Sequence, residues 1–293
     1  MRICIITDNK NSHASCQFEK ELSLAGHKPF FASWKNIYFE GNTLLLDKKV
    51  SLKKFDAVIV RASSTSATPL SLVLDYCIQN NIRLLNKTFY LRYQTIHKLR
   101  QQSLFEASKI PCLKTIYGEN ESYSSLKKTL GASFVAKLAN GSLGKQVFKI
   151  TSKKEFDKFI GERKRDKKIY LFQKFYSTTG DFRVFVIGKK VFGPVKRIAP
   201  KGEWRTNVRG ASHMRADKKE VVLKLAKLFA KKTDIEFAGI DILIDSSQKP
   251  RIIEINTMAD FKVFDKIYPE IKIARETIRL LQDSLAQKTF LEK

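Results

Sequence analysis

Acidic residues are scarce in this chain: 29 aspartates and glutamates stand against 55 lysines and arginines, a formal net charge of +26 over 293 residues. Such a field attracts anions, whether nucleotides, acidic peptides or nucleic acid, and is silent on fold. Lysine is spread along the whole chain, with local clusters at 48–49, 53–54 and 163–168, so a composition bias without a dedicated partner is an equal reading. Cysteine and histidine are sparse as well. Cys4, Cys16, Cys77 and Cys112 show no CxxC spacing, and His13, His27, His97 and His213 are scattered. Neither a zinc site nor a disulfide framework is expected, and the thiols are read as reduced and mostly buried. No apolar run approaches the roughly twenty residues that span a bilayer. The stretch Met1–Asp8 is too short for a signal peptide and lacks a small-residue cleavage site, so a cytoplasmic location is expected. Internal repeats and low-complexity linkers are absent, which predicts compact junctions in a chain long enough for one large domain or two or three smaller ones.

What is present is an alternation of strand and helix patterns. Apolar runs at 2–7, 28–32, 43–46, 55–61 and 82–85, with helical stretches at 15–25 and 70–79, predict an open, mainly parallel sheet over residues 1–95. Arg61 ends one of these strands beside Ser63, Ser64, Thr65 and Ser66, where such sheets bind ligands; a surface arginine fits equally. Residues 88–108 read as one helix carrying Lys98, with Leu91, Ile96, Leu99, Leu104 and Phe105 for its apolar stripe. A strand at 133–137, a glycine-containing loop at 138–145 and a strand at 146–150 can fold backbone amides over phosphates, although the Walker pattern is missing. A helix from 151 with Phe156, Phe159 and Ile160 inward, a strand at 169–175 and a hairpin of 181–187 with 190–195 follow. The polar, basic connection at 196–210 is too long and mixed for core, and loops of that kind are usually functional. Asp217 and Glu220 suggest a capping box for a helix over 218–232, with Val221, Leu225, Leu228 and Phe229 as its buried stripe. An amphipathic helix over 271–286, bearing Ala274, Ile278, Leu281 and Leu285, closes the chain.

The stretch 237–261 carries the chemistry. Two isoleucine-rich runs, 239–245 and 251–257, flank turn residues and predict a β-hairpin. If Asp245 pairs with Pro250, Asp241 falls opposite Glu254; Glu254 and Asn256 share that face while Ile253 and Ile255 point to the core. Two carboxylates and an amide oxygen suit a hard divalent cation such as magnesium. Solvated charges on an exposed hairpin are the ordinary alternative.

Four segments, 134–137 with its G-S-L-G loop, 172–175, the run from 181–183 through Arg197 to 205–210, and 239–241 with 254–256, together resemble the ATP-grasp ligases. The resemblance is nearest to the RimK-type enzymes that attach glutamate to a ribosomal protein, with relatives that act on amino-group carrier proteins. It implies an α/β N-terminal domain at 1–95 followed by a two-lobed ATP-grasp unit, α+β in character, at 96–175 and 176–293. It also implies magnesium ligands Asp241, Glu254 and Asn256, with manganese as the alternative ion. Lys137 and Lys98 would face the ATP phosphates, Gln173, Lys174 and Phe175 the adenine, and Asp181 the ribose. Arg205, Thr206 and Asn207 would approach the nucleotide, with Arg197 and Arg205 as catalytic cations. The 141–144 loop would act as a lid that keeps water from an acylphosphate. Two departures stand out: Lys174 replaces an acid usual in relatives, and Thr257–Phe261 replaces a Ser-Pro-Gly turn. The expected activity is ligation of an amino acid such as glutamate to an acidic peptide or protein through an acylphosphate. A ligase making ester or amide links in a small precursor and a nucleic-acid-binding protein on an inactive scaffold are the alternatives, and the family suggests a homo-oligomer.

Overall fold

Five consecutive buried residues, Ile3 to Thr7, make β1 (Arg2–Thr7) a strand covered on both faces, the environment in which parallel sheets form. The computed structural model describes residues 1–61, 67–93, 97–141, 146–163, 168–217 and 219–291. After β1 come α1 (His13–Leu24), β2 (Lys28–Ala32), β3 (Ile37–Glu40), β4 (Thr43–Leu46), β5 (Val50–Ser51), β6 (Ala57–Arg61), α2 (Ala67–Gln79), β7 (Arg83–Leu84) and α3 (Lys87–Tyr93). Strands β2-β1-β6-β7 lie parallel in that order, while β3, β4 and β5 form a small antiparallel sheet. The order reverses beside β1, so Thr7 and Arg61, register partners at the carboxyl ends of β1 and β6, flank the switch point. Arg61 donates there to the Met258 carbonyl at 3.1 Å; Ser63, Ser64, Thr65 and Ser66 lie outside the described residues.

The expected helix over 88–108 is instead two: α3 and α4 (Lys98–Ala107), with 94–96 outside the described residues. Leu91 is exposed, whereas Leu104 and Phe105 are buried. Next come β8 (Thr115–Ile116), α5 (Tyr123–Leu130), β9 (Phe134–Leu138), β10 (Val147–Ile150), α6 (Lys153–Arg163) and β11 (Tyr170–Lys174). They build an antiparallel sheet in the order β10-β9-β11-β8. Phe134, Phe156, Phe159 and Phe172 meet edge-on or tilted at its centre, the arrangement aromatic quadrupoles favour. Ile160, expected inward, is exposed.

The last part comprises β12 (Asp181–Ile187), β13 (Lys190–Ile198), β14 (Ser212–Arg215), α7 (Glu220–Lys232), β15 (Phe237–Ile244), β16 (Pro250–Asn256), α8 (Lys262–Ile267) and α9 (Ile273–Leu291). Its antiparallel sheet runs β14-β13-β12-β15-β16. The capping box does not form: Asp217 accepts from Arg215 Nε at 2.5 Å, and α7 begins at Glu220 without a side-chain cap. Its buried face is Val222, Leu225, Ala226, Phe229 and Ala230, with Val221 exposed, a helix turned by one position from the expected stripe. Along α9, Ala274, Ile278 and Leu281 are buried as the pattern predicts.

Two core clusters tie the parallel sheet to the five-stranded one: Val58, Leu84 and Phe105 pack with Phe229 and Ile240, and Ile3 and Phe18 with Phe185, Phe261 and Ile278. The β8–β11 sheet and its helices pack about a separate centre. Among the described residues no helix is long and apolar enough to cross a membrane. Cys4, Cys77 and Cys112 are buried free thiols and Cys16 is exposed.

Candidate functional site

The β15–β16 hairpin reaches the expected juxtaposition by a different route. Its turn is held by Asp245, whose carboxylate accepts from the amides of Ser247 and Lys249, each at 2.9 Å, and from Arg251 Nε at 2.8 Å. That turn pairs Ile244, not Asp245, with Pro250. A bulge at Ile253 then inserts one extra residue, so Asp241 still lies opposite Glu254. The bulge also corrects the expected facing: Ile252 and Ile255 are buried in the core, while Ile253 lines a cavity with Glu254.

That cavity, of ≈ 470 Å³, lies between the β8–β11 sheet and the five-stranded sheet. From the β8–β11 sheet come Lys137 on β9, and Gln173 and Lys174 on β11, with Phe175 just beyond; α4 supplies Lys98; the five-stranded sheet supplies Asp181, Arg197, Asp241 and Glu254. Arg205, Thr206 and Asn207 reach it from the loop between β13 and β14. Among the described residues that the resemblance assigned to nucleotide, metal or catalysis, only Asn256 is not part of its wall, and Arg61 lies outside it as well. The Asn256 Oδ1 instead accepts from the Met258 amide at 2.9 Å. Gly141 borders the cavity and accepts a short hydrogen bond from Lys98 Nζ through its carbonyl; 142–145 lie outside the described residues.

Alternation on β12 and β13 stacks charges. Arg197 is 7% exposed, and its guanidinium donates to both oxygens of Asp181, at 2.6 and 2.7 Å, and reaches Asp241 Oδ2 at 2.9 Å. Thr206 Oγ1 also donates to Asp181, at 2.5 Å. Arg183, for which no role was expected, forks onto Asp241 through Nε and Nη2. Only glycine fits at 239, because a Cβ there would come 2.6 Å from Ala259 Cβ and 3.0 Å from Arg183 Nη1. Burial pulls the Arg197 pKa down, but Asp241 and Asp181 outweigh it and hold arginine above its ordinary value. Burial pushes Asp241 up, and Arg183 with Arg197 more than reverses that, leaving it below the usual carboxylate value. Burial lowers Lys137, with Glu254 opposing. Lys98 Nζ stands 3.9 Å from Glu254 Oε2.

At the far end Phe175 meets Trp204 edge-on at 5.6 Å, and Lys149 stands 4.0 Å over the Phe175 ring. Glu203 accepts from the Trp204 and Arg205 amides at 2.8 and 3.0 Å and from Arg205 Nη2 at 2.6 Å. Those bonds, the Arg205 side chain foremost, hold Glu203 down to about 2. The guanidinium of Arg205 is thus engaged by its own loop. Glu203 gave no sequence signal, since it sits in a loop without a repeating pattern, whereas strand alternation would have found Lys149 beside Val147 and Arg183 from Asp181.

The donor chemistry fits a hard cation. Asp241 and Glu254 are register partners and Asn256 lies two residues along β16. A carboxylate has roughly four lone-pair sites; three of those on Asp241 are used by the two arginines, which leaves one.

Residues 95–281 match the model of the RimK-like ATP-grasp domain family. A probable alpha-L-glutamate ligase of Legionella pneumophila (strain Corby) is 27% identical, over 96% of this chain and 95% of its own length. A RimK domain ATP-grasp protein from Sphaerobacter thermophilus DSM 20745 superposes with a TM-score of 0.74 at 12% identity, over 96% of this chain and 99% of that one. The ATP-grasp ligase PsnB, in complex with a phosphomimetic variant of its minimal precursor, Mg and ADP, gives 0.74 at 16%, over 97% and 98%.

Proposed function

The chain belongs to the RimK-like ATP-grasp family, an ATP-dependent ligase, and we propose that it joins an amino acid such as glutamate to an acidic peptide or protein acceptor through an acylphosphate. The observation that carries this reading is the convergence of Lys98, Lys137 and Arg197 with Asp241 and Glu254 on one cavity between two sheets. A carboxylate attacking a γ-phosphate brings anions together, and fixed cations answer the charge that accumulates. In this reading Lys137 and Lys98 hold the phosphates, and Arg197, locked by Asp181 and Asp241, is the catalytic cation. Arg205, Thr206 and Asn207 close over the nucleotide, and Gln173, Lys174 and Phe175 border its base. Asp241 and Glu254 would hold magnesium, or manganese, which when bound neutralises phosphate charge, and Asn256 would join them by turning its Oδ1 from the Met258 amide. The division at residues 95 and 175 belongs to the same proposal: the lobe with its own aromatic core covers the nucleotide, and the five-stranded sheet carries the metal ligands. The net charge of +26 suits an acidic acceptor by steering encounter.

The test is magnesium-dependent phosphate release from ATP by the purified chain, offered pooled amino acids with and without an acidic peptide. Release that requires both supports the reading. Release with the acidic peptide alone favours an intramolecular tailoring ligase, and absence of any nucleotide turnover or binding would remove the catalytic reading altogether.

A further inference from the structure

A hydrogen-bond chain that begins outside the cavity ends in its wall at Gln173. On α4, Gln102 Nε2 lies 2.9 Å from Glu106 Oε1 and 3.3 Å from the Leu113 carbonyl, two acceptors for its two protons, with Cys112 Sγ 3.1 Å away. The Gln102 Oε1 therefore faces Thr115, whose hydroxyl donates to it at 3.0 Å, with the Leu113 carbonyl a second acceptor at 3.0 Å. A hydroxyl has one proton, so toward β11 Thr115 Oγ1 accepts, and Gln173 Nε2 donates to it at 3.0 Å. The amide of Gln173 is thereby turned with its carbonyl away from Thr115. That oxygen is buried and has no hydrogen-bond partner among the described residues, on a side chain in a residue only 4% exposed. Strand alternation puts Gln173 on the cavity side with its register partner Val135, while Phe172 enters the aromatic core. An acceptor left unpaired in such a wall calls for a donor.

We propose that Glu106, Gln102 and Thr115 form a positioning relay that holds Gln173 as an acceptor and so selects a purine carrying a 6-amino donor over one carrying a 6-oxo group. The inference rests on the nucleotide reading above. Lys174, the next residue, can only donate, so of these two neighbouring side chains Gln173 supplies the acceptor. Without the Thr115 hydroxyl the amide turns freely and offers either its carbonyl or its NH₂ to the base. A site built around a fixed polar group rejects the mismatched analogue far more strongly than a shape-based one.

The test compares dissociation constants for ATP and inosine triphosphate, measured calorimetrically on the full chain; their ratio is independent of the folded fraction. The unaltered protein is expected to favour ATP at least about tenfold, which corresponds to ~1.4 kcal/mol. Thr115→Val is expected to bring the ratio close to unity, and Thr115→Ser to keep it. Adding Gln173→Glu to Thr115→Val is expected to restore it, because a carboxylate accepts whichever way it turns. Equal binding of the two nucleotides by the unaltered protein, or an unchanged ratio in Thr115→Val, overturns the relay and leaves the nucleotide site standing. Binding of neither nucleotide overturns the nucleotide reading, and the relay's role with it.

Discussion

Replacing Arg197 by methionine removes the cation shared by Asp181 and Asp241, two carboxylates that are 6% and 3% exposed. Asp241 keeps Arg183, but among the described residues Asp181 keeps only the hydroxyl of Thr206 as a side-chain donor. Removing one partner of a buried pair costs about 3–5 kcal/mol, so Arg197→Met is expected to lose that much unfolding free energy. Such a loss is a large part of the roughly 5–15 kcal/mol a domain possesses. Asp181→Asn should lose less, about 1–3 kcal/mol, because Arg197 retains Asp241. The double variant should be more stable than Arg197→Met alone, since no uncompensated carboxylate remains at 181. Urea unfolding at neutral pH without nucleotide measures all three, and the slope with denaturant should stay constant. Changing the salt concentration should move these differences little, because the groups are out of reach of counterions. Losses that simply add in the double variant would refute the reasoning, as would a stable Arg197→Met. Where Arg197→Met folds, turnover should fall more than ATP affinity, and equal losses would remove its catalytic assignment.

Glu254→Gln is expected to abolish phosphate release with little change in stability, whereas Asp241→Asn should lose both, because it withdraws the charge shared by Arg183 and Arg197; release and urea unfolding measured together separate the two. Gly239→Ala places a Cβ 2.6 Å from that of Ala259, an overpacking expected to cost ~1–3 kcal/mol, and an unshifted urea midpoint would contradict it. The Glu203 carboxyl, held near 2 by Arg205, binds its proton more weakly folded than unfolded. Its contribution is therefore full above its ordinary pKa of 4.5 and is lost as pH falls toward about 2. The emission of neighbouring Trp204, read in a Trp34→Phe background, should stay flat down to about pH 3 and change as the pH approaches about 2; a change confined to higher pH would refute the assignment.

The contrast between β15 and β14 shows which elements the chain announces. β15 alternates isoleucines with an aspartate and is bounded by turn residues, so its strand character and its chemistry were legible together. β14 is four residues long and exposed at each of them, and without a buried face it leaves no pattern to find. Helix α7 is intermediate: its apolar periodicity is plain, but Asp217 is drawn to Arg215 and the helix settles one position round from the expected stripe. Local capping chemistry lost there to an ion pair that only the neighbouring strand makes available.

By itself the sequence determined most of the longer strands and helices, though not α5, α8, β3, β5, β8 or β14, together with the pair Asp241 and Glu254, because those follow from alternation and turn residues within a few positions of one another. It did not determine how the pair is brought opposite. The tight turn held by Asp245 shifts the register, and the bulge at Ile253 shifts it back. Tertiary structure alone decided that Arg183 and Arg197, from two other strands, share Asp241, and that a hydroxyl on β8 fixes an amide on β11. Such interactions join residues 44 to 58 positions apart in the chain, and their strength comes from removing water around them. That condition exists only once the two sheets have closed on one another.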